Sequence, residues 1–99
     1  MRADYDSEGD TIQIKLELVQ RLSHDEIVEN GAVIVGIFED RPVMVDVIGT
    51  TGDFERPLRL AAERFDLDAE ALTAAAKAAL AAPDRTVTLG VGTRLAATR

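Results

Sequence analysis

The chain has 99 residues, 46% of them hydrophobic and 29% charged, and a formal net charge of −7. That is enough chain for one self-supporting core and too little for two. It has no cysteine and a single histidine, which excludes a disulfide framework and thiol chemistry and leaves a zinc site only carboxylates to draw on; no run approaches the ~18 apolar residues of a membrane span.

The first element is a β-hairpin over residues 2–5 and 11–18. Ile12, Ile14, Leu16 and Leu18 alternate with Thr11, Gln13, Lys15 and Glu17, the pattern of a half-buried strand. Asp6-Ser7-Glu8-Gly9 supplies the turn, with Gly9 free to take a positive φ and Asp6 or Ser7 able to bond local backbone. Residues 19–30 connect onward and include a short strand around Glu26–Glu29. Asn30-Gly31 is a tight-turn dipeptide leading into a strand over 32–38. Glu39-Asp40-Arg41 turns the chain again, and Pro42 opens a strand over 43–48, where its missing N–H does little harm.

The strands over 32–38 and 43–48 are apolar on both faces. Ala32, Ile34 and Phe38 oppose Val33, Val35 and Ile37, and Val43, Val45 and Val47 oppose Met44 and Ile48. Such strands are usually covered on both sides.

Gly49–Asp53 is a loop. A helix follows over about 55–65, with Pro57 in its first turn and Leu58, Ala61, Ala62 and Phe65 as its apolar stripe. Asp66-Leu67-Asp68 breaks it, and Asp66 or Asp68 caps a second helix over about 69–81. Alanine fills eleven of the twenty-two positions from 61 to 82, so this hairpin can approach a sheet closely. Pro83 stops it, and residues 86–91 alternate as a last strand.

The expected fold is α+β in one domain, 1–99. A four-stranded antiparallel meander (1–49) is followed by a helical hairpin on one face (53–82) and a C-terminal strand (85–91) that rejoins the sheet or crosses to a partner.

Tyr5-Asp6, the acidic turn, Asp10-Thr11-Ile12-Gln13-Ile14-Lys15-Leu16 and the later Phe38-Glu39-Asp40-Arg41-Pro42-Val43 resemble a family of small bacterial proteins, the domain of unknown function 2283. The resemblance covers about residues 3–49. It departs at Gln13 or Ile14, where the family usually has an aromatic, and at Met44-Val45-Asp46, where it usually has Gly-Ile-Glu. It implies a small sheet-forming protein, often encoded near small basic toxin-like proteins, with no catalytic residues to carry over.

Residues 1–52 hold four basic residues against eleven acidic ones, which accounts for the whole net charge; residues 53–99 hold seven of each. An acidic surface repels phosphate backbones and favours basic partners, though charge of this size also serves solubility alone.

Few residues invite chemistry. Asp6, Glu8 and Asp10 alternate across a turn but lack the glycine and closing glutamate of a calcium loop. Ser23-His24-Asp25 are adjacent in sequence, which is not the spatial arrangement of a catalytic triad. The two helices have helix-turn-helix spacing, but the second offers Glu70, Thr73 and Lys77 among alanines, which does not suit DNA. Asp46 is the one acid inside an apolar strand. It faces solvent past the sheet edge, pairs with an arginine such as Arg94, or lines a small-molecule pocket, and it is the tentative ligand-pocket residue.

The leading expectation is a non-enzymatic protein-interaction module, an acidic antitoxin-like partner of a small basic protein. The alternative is a small-molecule-binding or weakly catalytic domain with a pocket near Asp46. No catalytic, metal or cofactor residues are expected, nor a nucleic-acid or membrane partner; the expected compartment is the cytoplasm. A homodimer is expected because one helical layer cannot cover a sheet apolar on both faces. Strand addition through 86–91 is a second route to it. Folding of residues 19–30 back over the sheet would serve instead.

Overall fold

The computed structural model describes residues 1–90. Its elements in chain order are β1 (Arg2–Asp6), β2 (Thr11–Lys15), β3 (His24–Val28), β4 (Val33–Phe38), β5 (Arg41–Ile48), α1 (Glu55–Arg64), α2 (Ala69–Leu80) and β6 (Thr86–Thr88). The strands form one six-stranded antiparallel sheet in the order β3-β4-β5-β2-β1-β6. The fold is α+β, with both helices on one face. No helix among the described residues is long and apolar enough to cross a membrane.

The sheet has one strand more than a four-stranded meander with a C-terminal strand, and its order is not that of a meander. The short stretch expected at 26–29 is the full strand β3 and forms a sheet edge. The chain leaves β2, crosses to that edge, and returns through β4 and β5, so β5 comes to lie against β2. Ile12 faces Val47 and Ile14 faces Val45. The turns drive this order. Asn30 and Gly31 both take positive φ between β3 and β4, as do Glu39 and Asp40 between β4 and β5. Glu39-Asp40 is a two-residue turn of the hand that matches the twist of antiparallel strands. The β3–β4 connection is longer. Glu29 also takes positive φ, and Glu29–Gly31 form a single 3-10 turn in place of the tight Asn30-Gly31 turn expected from the sequence.

The last strand rejoins the sheet. Val87 pairs with Ala3, and Met1 and Leu89 exchange hydrogen bonds beyond it. Residue 91, the end of the expected strand, and Arg94 lie outside the described residues.

Alternation also ends sooner than residues 11–18 lead one to expect. Both Leu16 and Glu17 direct their N–H to the Val43 carbonyl, at 2.8 and 3.2 Å. Two consecutive donors on one acceptor break the period of two, so β2 stops at Lys15 and Leu18 is 65% exposed. Gly9 does not take the positive φ of its turn; Asp10 does. Gly9 serves close approach instead, since a Cβ there would stand 2.9 Å from Asp6 Oδ2.

The core lies between the helices and the face carrying Ala3, Ile12, Ile14, Val33, Val35, Val45 and Val47, all fully buried. α2 packs on β1 and β2, and α1 on β4 and β3. Ala75, Ala76 and Ala79 are fully buried, and such small side chains let the α2 backbone come close to the sheet. Asp68 caps α2 by accepting the Ala71 N–H at 3.1 Å.

Candidate functional site

Strand alternation sends every second residue to the face without helices. The register places them in rows. One row runs Asp4, Gln13, Asp46, Ile34, Ile27 from β1 to β3. The next runs Arg2, Lys15, Met44, Gly36, Asp25. Ile48 continues the face along β5. Ile27 is 62% and Ile48 43% exposed, while Ile34 and Met44 are half-buried. In the connection between β2 and β3, Leu22 lies over Gly36, its Cδ1 2.8 Å from where a Cβ would stand, and Val19 lies beside Phe38. The face is thus apolar toward β3, β4 and β5, and charged toward β1 and β2.

Asp46 sits at its centre. It is half-buried between Gln13 and Ile34, and its Oδ1 is buried with no hydrogen-bond partner. Burial raises its pKa above the ordinary carboxylate value, and the charges of Asp25 and Asp4 add to the rise; a hydrogen bond from Gln13 offsets part of it. A buried acceptor without a donor costs about 1–3 kcal/mol.

The other residues singled out from sequence take structural roles. Asp10 accepts the Tyr5 hydroxyl at 2.8 Å, the Thr50 hydroxyl at 2.6 Å and the Thr50 N–H at 3.2 Å, which ties the first hairpin to the loop after β5. These bonds, led by that of the Thr50 hydroxyl, hold its pKa below the ordinary carboxylate value. Asp6 accepts the Glu8 N–H within the turn. No group of three or more His, Cys, Asp or Glu among the described residues is arranged to hold a metal. In β3, His24 and Asp25 point to opposite faces; His24 Nε2 lies 2.9 Å from Glu26 Oε2, and the Ser23 hydroxyl accepts the Glu39 N–H. No relay joins the three. On α2, Thr73 is buried and Lys77 pairs with Glu55 at 3.1 Å.

Two contacts could not be read from spacing. Asp84 accepts both the N–H and the hydroxyl of Ser7, at 3.0 and 2.7 Å. Arg41 grips Glu17 through Nε and Nη2 and stacks over Phe38, 5.4 Å from its centroid. Each joins segments far apart in sequence. On the helical side, a cleft of about 230 Å³ is bounded by Leu16, Pro42, Leu67 and Leu72. Its two acids are committed, Glu17 to Arg41 and Asp68 to the N-terminus of α2.

No family model matches the chain, and neither does a curated protein or a solved structure.

Proposed function

We propose that the chain is a non-enzymatic protein-interaction module that uses the helix-free face of its sheet, and that a second copy of the chain covers that face to make a homodimer. The observation carrying this is the cluster of Ile27, Ile34, Met44 and Ile48 around the half-buried Asp46 on a face with no helical layer. A contiguous apolar patch on a sheet marks an interaction site, and two-fold pairing of identical patches is the commonest way such a patch is buried. Gel filtration with light scattering tests it. The expected mass is twice the 10.7 kDa of one chain, and Ile34→Lys, a charge set into the patch, should return it to one chain. A single-chain mass for the unaltered protein across micromolar to millimolar concentration would sink the reading.

The charge distribution favours a second association, with a small basic protein. All of the net charge falls on residues 1–52, which form the five strands from β1 to β5. The resemblance to the domain of unknown function 2283 points the same way, toward an acidic antitoxin-like role.

A further inference from the structure

β3 forms one edge of the sheet, and part of its main chain faces outward. The Ile48 N–H donates to the Ala32 carbonyl, so Ala32 and Ile34 turn their main chain to β5, and Val33 and Val35 turn theirs to β3. Val28 and Glu26, opposite Val33 and Val35, are spent on that ladder. Asp25 and Ile27 therefore point their N–H and C=O groups away from the sheet. The strand has five residues, no proline and no register shift against β4. Proline, bulges and extreme shortness, which close many exposed edges, are thus missing. Among the described residues one side chain crosses the edge. Arg64 Nη1 donates to the Ile27 carbonyl at 3.3 Å while its Nη2 holds Glu26 at 3.2 Å.

Apolar groups flank this edge on both sides. Ile27 is exposed on the helix-free face. On the other, Val28 and Leu60 line a groove of about 430 Å³ between β3 and α1. The acids of β3 reject a second copy of the same strand. With Asp25 opposite the partner's Ile27, Glu26 meets the partner's Glu26. A shift of two residues sets Asp25 against the partner's Asp25 or the partner's Glu29. Like charges directly opposite each other destabilise a sheet, and opposite charges stabilise it. The Asp25 carboxylate is exposed and takes part in no hydrogen bond or ion pair among the described residues.

Resting on the association with a basic protein above, we propose that β3 accepts an antiparallel strand from that partner. The strand reads apolar, apolar, any residue, basic, opposite Val28, Ile27, Glu26 and Asp25 in turn. Its first apolar side chain enters the groove beside Leu60, its second lies on Ile27, and its cation meets Asp25. An incoming N–H takes the Ile27 carbonyl from Arg64, which keeps Glu26. Main-chain bonds supply the affinity of such strand addition, and the alternate side chains its specificity.

The probe is a fluorescein-labelled peptide, Lys-Thr-Leu-Val-Thr-Lys-Thr-Lys, titrated with the full chain at low salt and read by anisotropy. If the chain is dimeric, the Ile34→Lys background is used, since Ile27 also lies in that face. The peptide should bind saturably. N-methylation of its valine and its central lysine removes the two N–H groups that face β3, and should weaken binding about tenfold or more. N-methylation of the threonine between them, whose N–H points away, should leave binding unchanged. Asp25→Lys should weaken the parent peptide and strengthen one with glutamate in place of the central lysine. Circular dichroism melts check that this variant is folded. A scrambled peptide of the same composition that binds equally well, or methylation without positional effect, overturns strand addition. The attraction to a basic partner then stands. If none of these peptides binds, both fall, because the acidic half then attracts no cationic chain.

Discussion

Leu22 closes over Gly36: a Cβ built at Gly36 would lie 2.8 Å from Leu22 Cδ1 and 3.1 Å from Cδ2, with the Met44 Cβ at 3.4 Å. The glycine is therefore there for space, and its φ is not in the left-handed region. It lets the connection between β2 and β3 lay a leucine on the face without helices. Gly36→Ala should behave differently in two backgrounds. With Leu22→Ala already present, the strand gains about 0.4–1 kcal/mol from the loss of glycine's freedom in the unfolded chain. With Leu22 intact, the leucine must be pushed aside and the gain vanishes or reverses. A double-mutant cycle in urea should show a coupling of about 0.5–3 kcal/mol between the two sites; independent effects would mean that Leu22 does not rest there.

Ile14 and Gln13 are neighbours on opposite faces. Ile14 is fully buried against the helices, and Gln13 is half-buried beside Asp46. Ile14→Ala should cost roughly 2–5 kcal/mol, as deletion from a close-packed core does. Gln13→Ala should change stability by no more than about 0.5 kcal/mol, while raising the Asp46 pKa further because the Gln13 hydrogen bond is lost. Equal losses at the two positions would place the strand in the wrong register.

The helices, the turn at Glu39-Asp40 and the presence of a turn around Asn30-Gly31, with the strands around them, were legible because their signals are local. Proline, glycine, alternation and a capping aspartate act within a few residues. The order of the sheet was not legible. That β5 lies against β2 depends on side chains from segments some thirty residues apart, and no local pattern encodes it. The same holds for the face the helices take. Val33, Val35 and Ile37 are as apolar as Ile34 and Phe38, so hydrophobicity alone could not say which set faces α1. Asp46 was legible as an anomaly, an acid inside an apolar strand. Its neighbours Gln13 and Ile34 were not, since both come from other strands.

The acidic sheet half and the lack of a basic face on α2 predict no affinity for duplex DNA at physiological salt. Fluorescence anisotropy with mixed-sequence duplex should stay flat. Micromolar binding that weakens steeply with salt would mean that the helical hairpin does recognise DNA after all.

Asp10 should shape the acid limb of stability. Its folded pKa is depressed, first by the Thr50 hydroxyl and then by Tyr5. The native state therefore binds this proton less readily than the unfolded chain. The contribution is present above the unfolded value, about 3.9, and is lost as pH falls through the lower folded value. Thr50→Val removes the strongest of these donors. The variant should be less stable than the parent at pH 7, and the gap should close on acidification below about pH 4. A gap of constant size in urea melts at both pH values would assign Thr50 a packing role alone.

Asp46 should act in the opposite sense. Its folded pKa is raised, chiefly by burial. Between the unfolded value, about 3.9, and the higher folded value, the native state holds the proton and the unfolded chain has released it, so stability falls as pH rises through that window. Any self-association would change apparent stability by mass action, so the comparison needs one fixed protein concentration. Asp46→Asn keeps the shape, removes the titration and can donate through its amide. It should be at least as stable as the parent at pH 7, and its stability should no longer decline from about pH 4 upward. A variant that keeps the parent's decline with pH would show that another carboxyl, such as Asp25 or Asp4, carries the titration of this face.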